Sequence, residues 1–287
     1  MVIKNIGILY ETLEDAQKIK NKPLEYLDHW REQSEIEAIR NAIEKLGFNT
    51  ILLGTPKKFA KNNKINPDID FIFSLSCGYV SRFRQAAGAM VSYLLQLPYT
   101  GADPYAKILG QNKHLTKSLF DHIGIPTPKW NYIHSLKHLS DINFPPFPLI
   151  VKPACEGTSV GIFEESVVSK KEDLIKQIEF IINDINLSVI VEQFIIGEEI
   201  KVGFIGNHER LFEGMFEDVH EDGSSLMSDF LHYNAKKKRN FTKLKLDYYD
   251  SSFAKLRDYC ILIYELFCPV DYGVFDIRRY KEAVKDN

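Results

Sequence analysis

Apolar positions along the chain recur at spacings that alternate between strand and helix. Residues 3–10 predict a first strand, and the polar residues 11–31, with one proline, predict a long loop containing a helical turn. Ser34 and Glu37 match a capping box ahead of Ile36, Ile39, Ile43 and Leu46, which form one face of a helix that Gly47 ends. Strands follow at residues 50–53 and 70–75. This start is the doubly wound pattern, in which ligands sit beyond the carboxyl ends of the strands. A helix over residues 84–97 turns Ala87, Met90, Leu94 and Leu97 inward, and the turn-rich residues 98–104 mark a first domain boundary. Another helix opens around residues 111–117 and closes at Gly124, with Pro126 beyond.

The stretch Pro148-Leu-Ile-Val-Lys-Pro-Ala-Cys-Glu-Gly-Thr-Ser-Val-Gly-Ile-Phe163 organises the chain. It reads as two strands, the second resuming at Val160, joined by a turn of small and polar residues. Gly157, Thr158 and Ser159 can aim N–H and hydroxyl groups at an anion beside Lys152. An ordinary hairpin turn is the plain alternative. Ser169 and Glu172 match a second capping box, before an apolar face of Leu174, Ile175, Ile178 and Ile182. Residues 189–196 are apolar except for Glu192 and Gln193, which suggests a strand leaving the core at a binding cleft. Strands at 197–205 and 211–219, a helix over 251–267 and a last strand over 271–279 carrying Asp276 complete the pattern. The class is therefore α/β.

Size and charge narrow the functions. A chain of 287 residues can bury a large core and hold two or three lobes. With 36 Lys+Arg against 39 Asp+Glu, a general nucleic-acid surface is disfavoured, which leaves room for a local basic site. The run Lys236, Lys237, Lys238 and Arg239 is either a solvated edge or such a phosphate site. Arg82 and Arg84, past the third strand, either meet a substrate carboxylate or start a solvated helix. No apolar run reaches membrane-spanning length, and the first residues read as a strand rather than a signal peptide. Cys77, Cys155, Cys260 and Cys268 lack metal or redox spacing, so reduced packing cysteines in a cytoplasmic protein are expected.

Six segments, in order, resemble the ATP-grasp ligases, and most closely the D-alanine–D-alanine ligase family. They are Leu97-Pro-Tyr-Thr-Gly101, Asn112-Lys-His-Leu-Thr-Lys117, Ile123-Gly-Ile-Pro-Thr-Pro128, the Val151–Gly161 part of the stretch above, Val191-Glu-Gln-Phe-Ile-Ile-Gly-Glu-Glu199 and Tyr233-Asn-Ala-Lys236. The resemblance implies an ATP-grasp fold behind a Rossmann-like N-terminal domain, with lobes at 1–104, 105–188 and 189–287. It implies an ATP-dependent, ADP-forming carboxylate–amine ligase acting through an acyl phosphate on amino acid or dipeptide-type substrates, and it leaves room for a homodimer. Lys113 and Lys152 then hold the ATP phosphates, and Glu156, Gly157, Thr158 and Ser159 form a loop that closes over them. Glu192, Gln193, Phe194 and Ile195 line the adenine pocket, and Glu199 takes the ribose hydroxyls. Lys236 reaches the γ-phosphate and joins Ser159 and Arg84 as catalytic residues, while Asp276 binds Mg2+.

Three features depart from the family. Ser76-Cys-Gly-Tyr-Val-Ser-Arg-Phe-Arg84 stands in place of the usual His-Gly signature and matches a divergent branch. Val274 occupies the place of the arginine that stabilises the intermediate. The family's Glu-x-Asn metal pair is expected beyond Asn287, and in the ligase reading Glu282, Asp286, Asn287 or a partner chain takes its place. A truncated or degenerate relative that binds nucleotide without ligase turnover is accordingly the alternative, and a kinase-like or peptide-modifying enzyme is a weaker third.

Overall fold

The computed structural model describes residues 2–17, 30–61, 68–78, 81–157, 159–238 and 241–280, without the side chains of His138, Lys236 and Lys237. It divides into two compact units, one of residues 1–111 with 269–271 and one of residues 112–268 with 272–287.

In the first unit, β1 (Asn5–Leu9), α1 (Leu13–Gln17), α2 (Gln33–Lys45), β2 (Asn49–Gly54), α3 (Pro56–Lys61) and β3 (Phe71–Ser74) precede α4 (Ala87–Leu94) and α5 (Pro104–Gln111). The sheet runs β2-β1-β3 and is parallel throughout. Alternate residues of β1 face opposite ways: Ile6 and Ile8 pack with Ile43 of α2, while Leu9 packs with Ile72, Phe59 and Val91. A parallel sheet with apolar cover on both faces is what the sequence predicts.

Two local expectations in this unit need correction. The cap of α2 is Glu32, in a reciprocal box with Glu35, two residues before Ser34 and Glu37. The helix expected over 84–97 is a short 3-10 turn, Arg84–Ala86, followed by α4. It buries a small-residue face of Gly88, Ala89, Val91 and Ser92, and Leu94 is 76% exposed rather than inward. The helix α5 went unforeseen although its start is well marked, with Pro104 in the first turn and the Asp103 carboxylate accepting from the Ala106 N–H at 2.7 Å.

The second unit opens with α6 (Lys113–Ile123), β4 (Trp130–Ile133), β5 (Leu149–Pro153), β6 (Val167–Val168), α7 (Lys171–Glu179) and β7 (Val189–Gln193). Gly124, in the left-handed region, ends α6 as its sequence foretells. These strands form an antiparallel sheet of order β4-β7-β5-β6. Thus Val189–Gln193, assigned from sequence to the C-terminal lobe, lies inside this sheet. The α7 helix packs on β5 and β6, burying Leu174 and Ile178. Its cap is Lys170 with no side-chain bond, so the box at Ser169 and Glu172 does not form.

The return strand expected at Val160 does not form either. Val160 is buried inside a loop, and on the edge away from β7 the antiparallel partner of β5 is Val167–Val168. Ser159 (φ 61°) and Gly161 (φ 71°) flank Val160 in left-handed conformations that break the extended backbone regular pairing needs.

A second antiparallel sheet, of order β10-β9-β8-β11, is built from β8 (Gly197–Ile205), β9 (Phe212–His220), β10 (Phe241–Leu246) and β11 (Tyr272–Tyr280). Between its strands lie α8 (Tyr233–Lys238) and α9 (Ala254–Phe267). Phe204 of β8 packs on Tyr264 of α9 with ring centroids 4.9 Å apart, both rings being buried. Among the described residues, no helix is long and apolar enough to cross a membrane. All four cysteines carry free thiols.

Candidate active site

The first turn of α6 and the end of β5 are stitched together. The Lys113 N–H donates to the Ala154 carbonyl at 2.9 Å, and its ammonium donates to the carbonyls of Pro153, at 3.0 Å, and Glu156. Lys117 follows one turn later on the same helix face, as an i,i+4 spacing requires. On the sheet, Ile150 faces Glu192 and Lys152 faces Ile190, so Lys152 and Glu192 are diagonal neighbours on one face. The Lys152 ammonium contacts one Glu192 oxygen, and Lys117 pairs with the other at 2.7 Å.

Electrostatics in this cluster follow from burial. Glu192 is 6% exposed. Burial alone pushes its carboxyl up, but Lys152 and Lys117 outweigh it and hold the pKa at about 2. Burial and then the neighbouring Lys152 bring Lys113 down to about 8. Burial likewise lowers Lys117. Glu156, also buried, supplies a second carboxylate near Lys113. Three ammonium groups therefore face two carboxylates, and the surplus is positive.

The loop after β5 folds back onto the segment before α8. The Ser159 hydroxyl donates to the Leu231 carbonyl at 2.8 Å, and the Tyr233 N–H donates to the Ile162 carbonyl at 2.9 Å. The rings of Phe163 and Tyr233 meet edge to face at 6.0 Å. A methyl group on Gly161 would lie 2.6 Å from the Pro153 ring, so this return path depends on glycine. The loop expected to cover phosphate thus lies beside the start of the helix that carries Lys236. Gly157 closes a turn by accepting from the Val160 N–H at 3.0 Å. Thr158 and the Lys236 side chain lie outside the described residues.

At the end of β7 and just past it, the N–H of Gln193 donates to the Lys129 carbonyl and that of Phe194 to the Pro148 carbonyl, each at 2.9 Å. Arg278 of β11 ties the expected adenine and ribose residues together. Its guanidinium carbon lies 4.9 Å from the Phe194 ring centre, its Nε donates to the Ile195 carbonyl at 3.1 Å, and its Nη1 pairs with Glu199 at 3.2 Å. Asp276, two residues earlier on the same strand face, pairs with the Lys201 ammonium at 2.6 Å. Sequence reasoning passed over Lys117, Lys201 and Arg278. Each sits at i+4 or i+2 from a residue it did select, on the same face, and that spacing was the available signal.

In the first unit, Arg84 is 4% exposed and donates to the Cys77 carbonyl at 2.7 Å, so it does not start a solvated helix. Arg82 is exposed. Beside Arg84 lies Glu11, unforeseen and 3% exposed, whose oxygens accept from the Ser76 hydroxyl at 2.6 Å and the Cys77 N–H at 3.0 Å. Burial raises the Glu11 pKa against these hydrogen bonds and Arg84.

The donor set around Glu192, cationic in surplus and partly desolvated, fits a polyanion such as the triphosphate of ATP. A protein-held Mg2+ at Asp276 fits poorly. Lys201 already pairs with that carboxylate, and among the described residues no group of three or more His, Cys, Asp or Glu is arranged to hold a metal ion.

Comparison with known proteins bears on family and fold. Residues 119–282 match the model of the D-ala D-ala ligase C-terminus family. The D-alanine–D-alanine ligase of Aquifex aeolicus is 32% identical over 177 residues, 59% of this chain and 56% of that protein. That of Carboxydothermus hydrogenoformans is 30% identical over 70% of this chain and 62% of its own length. The chain thus spans little more than half the length of the curated relatives it matches. The solved structure of the Bacillus anthracis D-alanine–D-alanine ligase complexed with ATP superposes with a TM-score of 0.66 at 20% identity, over 98% of this chain and 83% of that one. The likeness at that identity is one of fold, and the fold is ATP-grasp. With a family match over more than half of its residues, the chain belongs to the D-Ala–D-Ala ligase C-terminus family.

Proposed function

We propose that this chain is an ATP-dependent carboxylate–amine ligase. A carboxylate oxygen of one substrate attacks the γ-phosphorus of ATP, the bond to the β-phosphate oxygen breaks, and ADP leaves. An amine then attacks the acyl carbon, loses a proton, and expels phosphate as the amide forms. This chemistry is mostly positioning and charge neutralisation in a dry cleft. The observation that carries the reading is the convergence of Lys113, Lys117 and Lys152 on Glu192, beside a loop tied to the segment that leads into the Lys236 helix.

In this reading Lys113 and Lys152 grip the phosphates, and Glu156 to Ser159 shield them from water. Phe194 and Ile195 offer adenine an apolar wall, and Glu199, oriented by Arg278, accepts from the ribose hydroxyls. Lys236 neutralises the charge on the transferring phosphoryl group, and Arg84 holds the loop on which a substrate carboxylate rests. The substrates are amino acids or dipeptide-type molecules, and the setting is cytoplasmic, which suits four free thiols. Any Mg2+ that accompanies ATP has the phosphate oxygens as its natural ligands.

A second reading, nucleotide binding without turnover, is favoured by the engagement of Asp276 with Lys201. One experiment separates them. Phosphate release from ATP is followed with a panel of D- and L-amino acids and dipeptides, beside calorimetric ATP binding to the wild type and to Lys152→Ala. Acceptor-dependent release supports the ligase, and tight binding without release supports the binder. ATP binding unchanged in Lys152→Ala overturns both.

A further inference from the structure

The register of the second sheet sets charged residues in ranks across one face. Lys243, Asp218, Glu199 and Arg278 lie opposite one another in sequence across β10, β9, β8 and β11. One step along, on the same face, Lys201 lies opposite Asp276. The Lys201 ammonium reaches across both ranks, 2.6 Å from Asp276, 3.0 Å from Asp218 and 3.8 Å from Glu199. Lys243 lies 3.3 Å from the other Asp218 oxygen, and Arg278 lies 3.2 Å from Glu199.

Among the described residues, three cations therefore meet three carboxylates on this face, and their charges balance. Asp218 fixes the arrangement. It is fully buried, so its charge must be matched from within the protein, and Lys201 is anchored there from the inside. Asp276, 72% exposed, occupies the outer side of the same ammonium.

We propose that Lys201 is a built-in cation standing where the Asp276 carboxylate would otherwise hold a divalent metal, so that this face of the sheet contributes no protein-held Mg2+ site. A metal at Asp276 would share its ligand with an ammonium that cannot withdraw without leaving the fully buried Asp218 to Lys243 alone. The inference rests on the ATP-binding reading only for its consequence: any metal at the site arrives and leaves with nucleotide.

The test uses Mn2+ as the probe, followed by electron paramagnetic resonance on the protein without nucleotide, so it stands apart from whether ATP binds at all. The wild type and Asp276→Asn should bind Mn2+ alike. Lys201→Thr should gain a site at least tenfold tighter, and adding Asp276→Asn should remove it. Wild-type Mn2+ binding that weakens tenfold or more in Asp276→Asn overturns the proposal, as does a folded Lys201→Thr that gains no site. Because Asp276 is exposed, the first comparison decides the matter even if Lys201→Thr fails to fold. Calorimetry with ATP on the same samples reports separately on the nucleotide reading.

Discussion

Lys113 carries a charge whose cost is set before any ligand arrives. Burial and the adjacent Lys152 lower its pKa from the ordinary 10.5 to about 8. A bound triphosphate opposes the second cause directly and rewards the charged form, so the pKa returns toward its ordinary range. Binding should then take up about 0.1 proton at pH 7, about 0.5 at pH 8 and about 0.9 at pH 9. The apparent affinity for ATP should fall about tenfold between pH 7 and pH 9, or about 1.4 kcal/mol. The terminal phosphate itself titrates near pH ~6, below this window. Calorimetry in buffers of differing ionisation enthalpy at one pH yields the proton count. Lys113→Arg, charged throughout, should flatten it, which also separates Lys113 from an α-amino group titrating nearby. Uptake below about 0.1 proton at pH 8 in the wild type, or an undiminished count in Lys113→Arg, would refute the reasoning.

The same group predicts a stability trend of the opposite sign. A lysine whose folded pKa is depressed binds fewer protons folded than unfolded between about 8 and 10.5. Stability of the unliganded protein therefore rises with pH through that window. The term amounts to about 3 kcal/mol. Lys113→Met abolishes it, so the stability of that variant relative to wild type should decline as pH climbs from 7 to 10. A difference that stays level across this range would show that the ammonium is not penalised as described.

Glu192→Gln leaves Lys152 and Lys117 facing each other at low exposure and should cost about 3–5 kcal/mol in urea unfolding at pH 7; a loss under about 1 kcal/mol would sink the buried-triad account. Because the folded Glu192 pKa is depressed to about 2, its contribution is whole above 4.5 and should drain away as pH falls toward 2. Glu11 has the reverse sign: its raised pKa means that stability of the first unit should fall as pH rises from 4.5 through the raised value. Hydrogen exchange of β1 and β3 at pH 4.5 and 7 should show that decline in the wild type and little of it in Glu11→Gln.

What the sequence made legible, and what it hid, divides along one physical line. Residues within a turn or two of each other announced themselves, so Gly124 ends the helix that opens near Lys113, and Lys152 lies on the strand its apolar neighbours predict. Cap templates misled because a Ser-x-x-Glu pattern is worth about 1 kcal/mol. Burial of Ile36 and Ile43, or of Leu174 and Ile178, is worth several times that and chose where each helix begins. Val160 was read wrongly as the start of a strand, since hydrophobicity reports burial while the left-handed backbones at Ser159 and Gly161 decide pairing. The partner of Asp276 was hidden more deeply. Lys201 lies 75 residues away and meets it through the alignment of β8 against β11. Shifting that register by one residue would turn one of the two side chains to the opposite face of the sheet. A motif can therefore nominate Asp276 as a ligand, but the strand opposite decides whether its charge is free to act as one. At this sheet the opposing strand brings an ammonium, and the chemistry at Asp276 has to be argued from that pair.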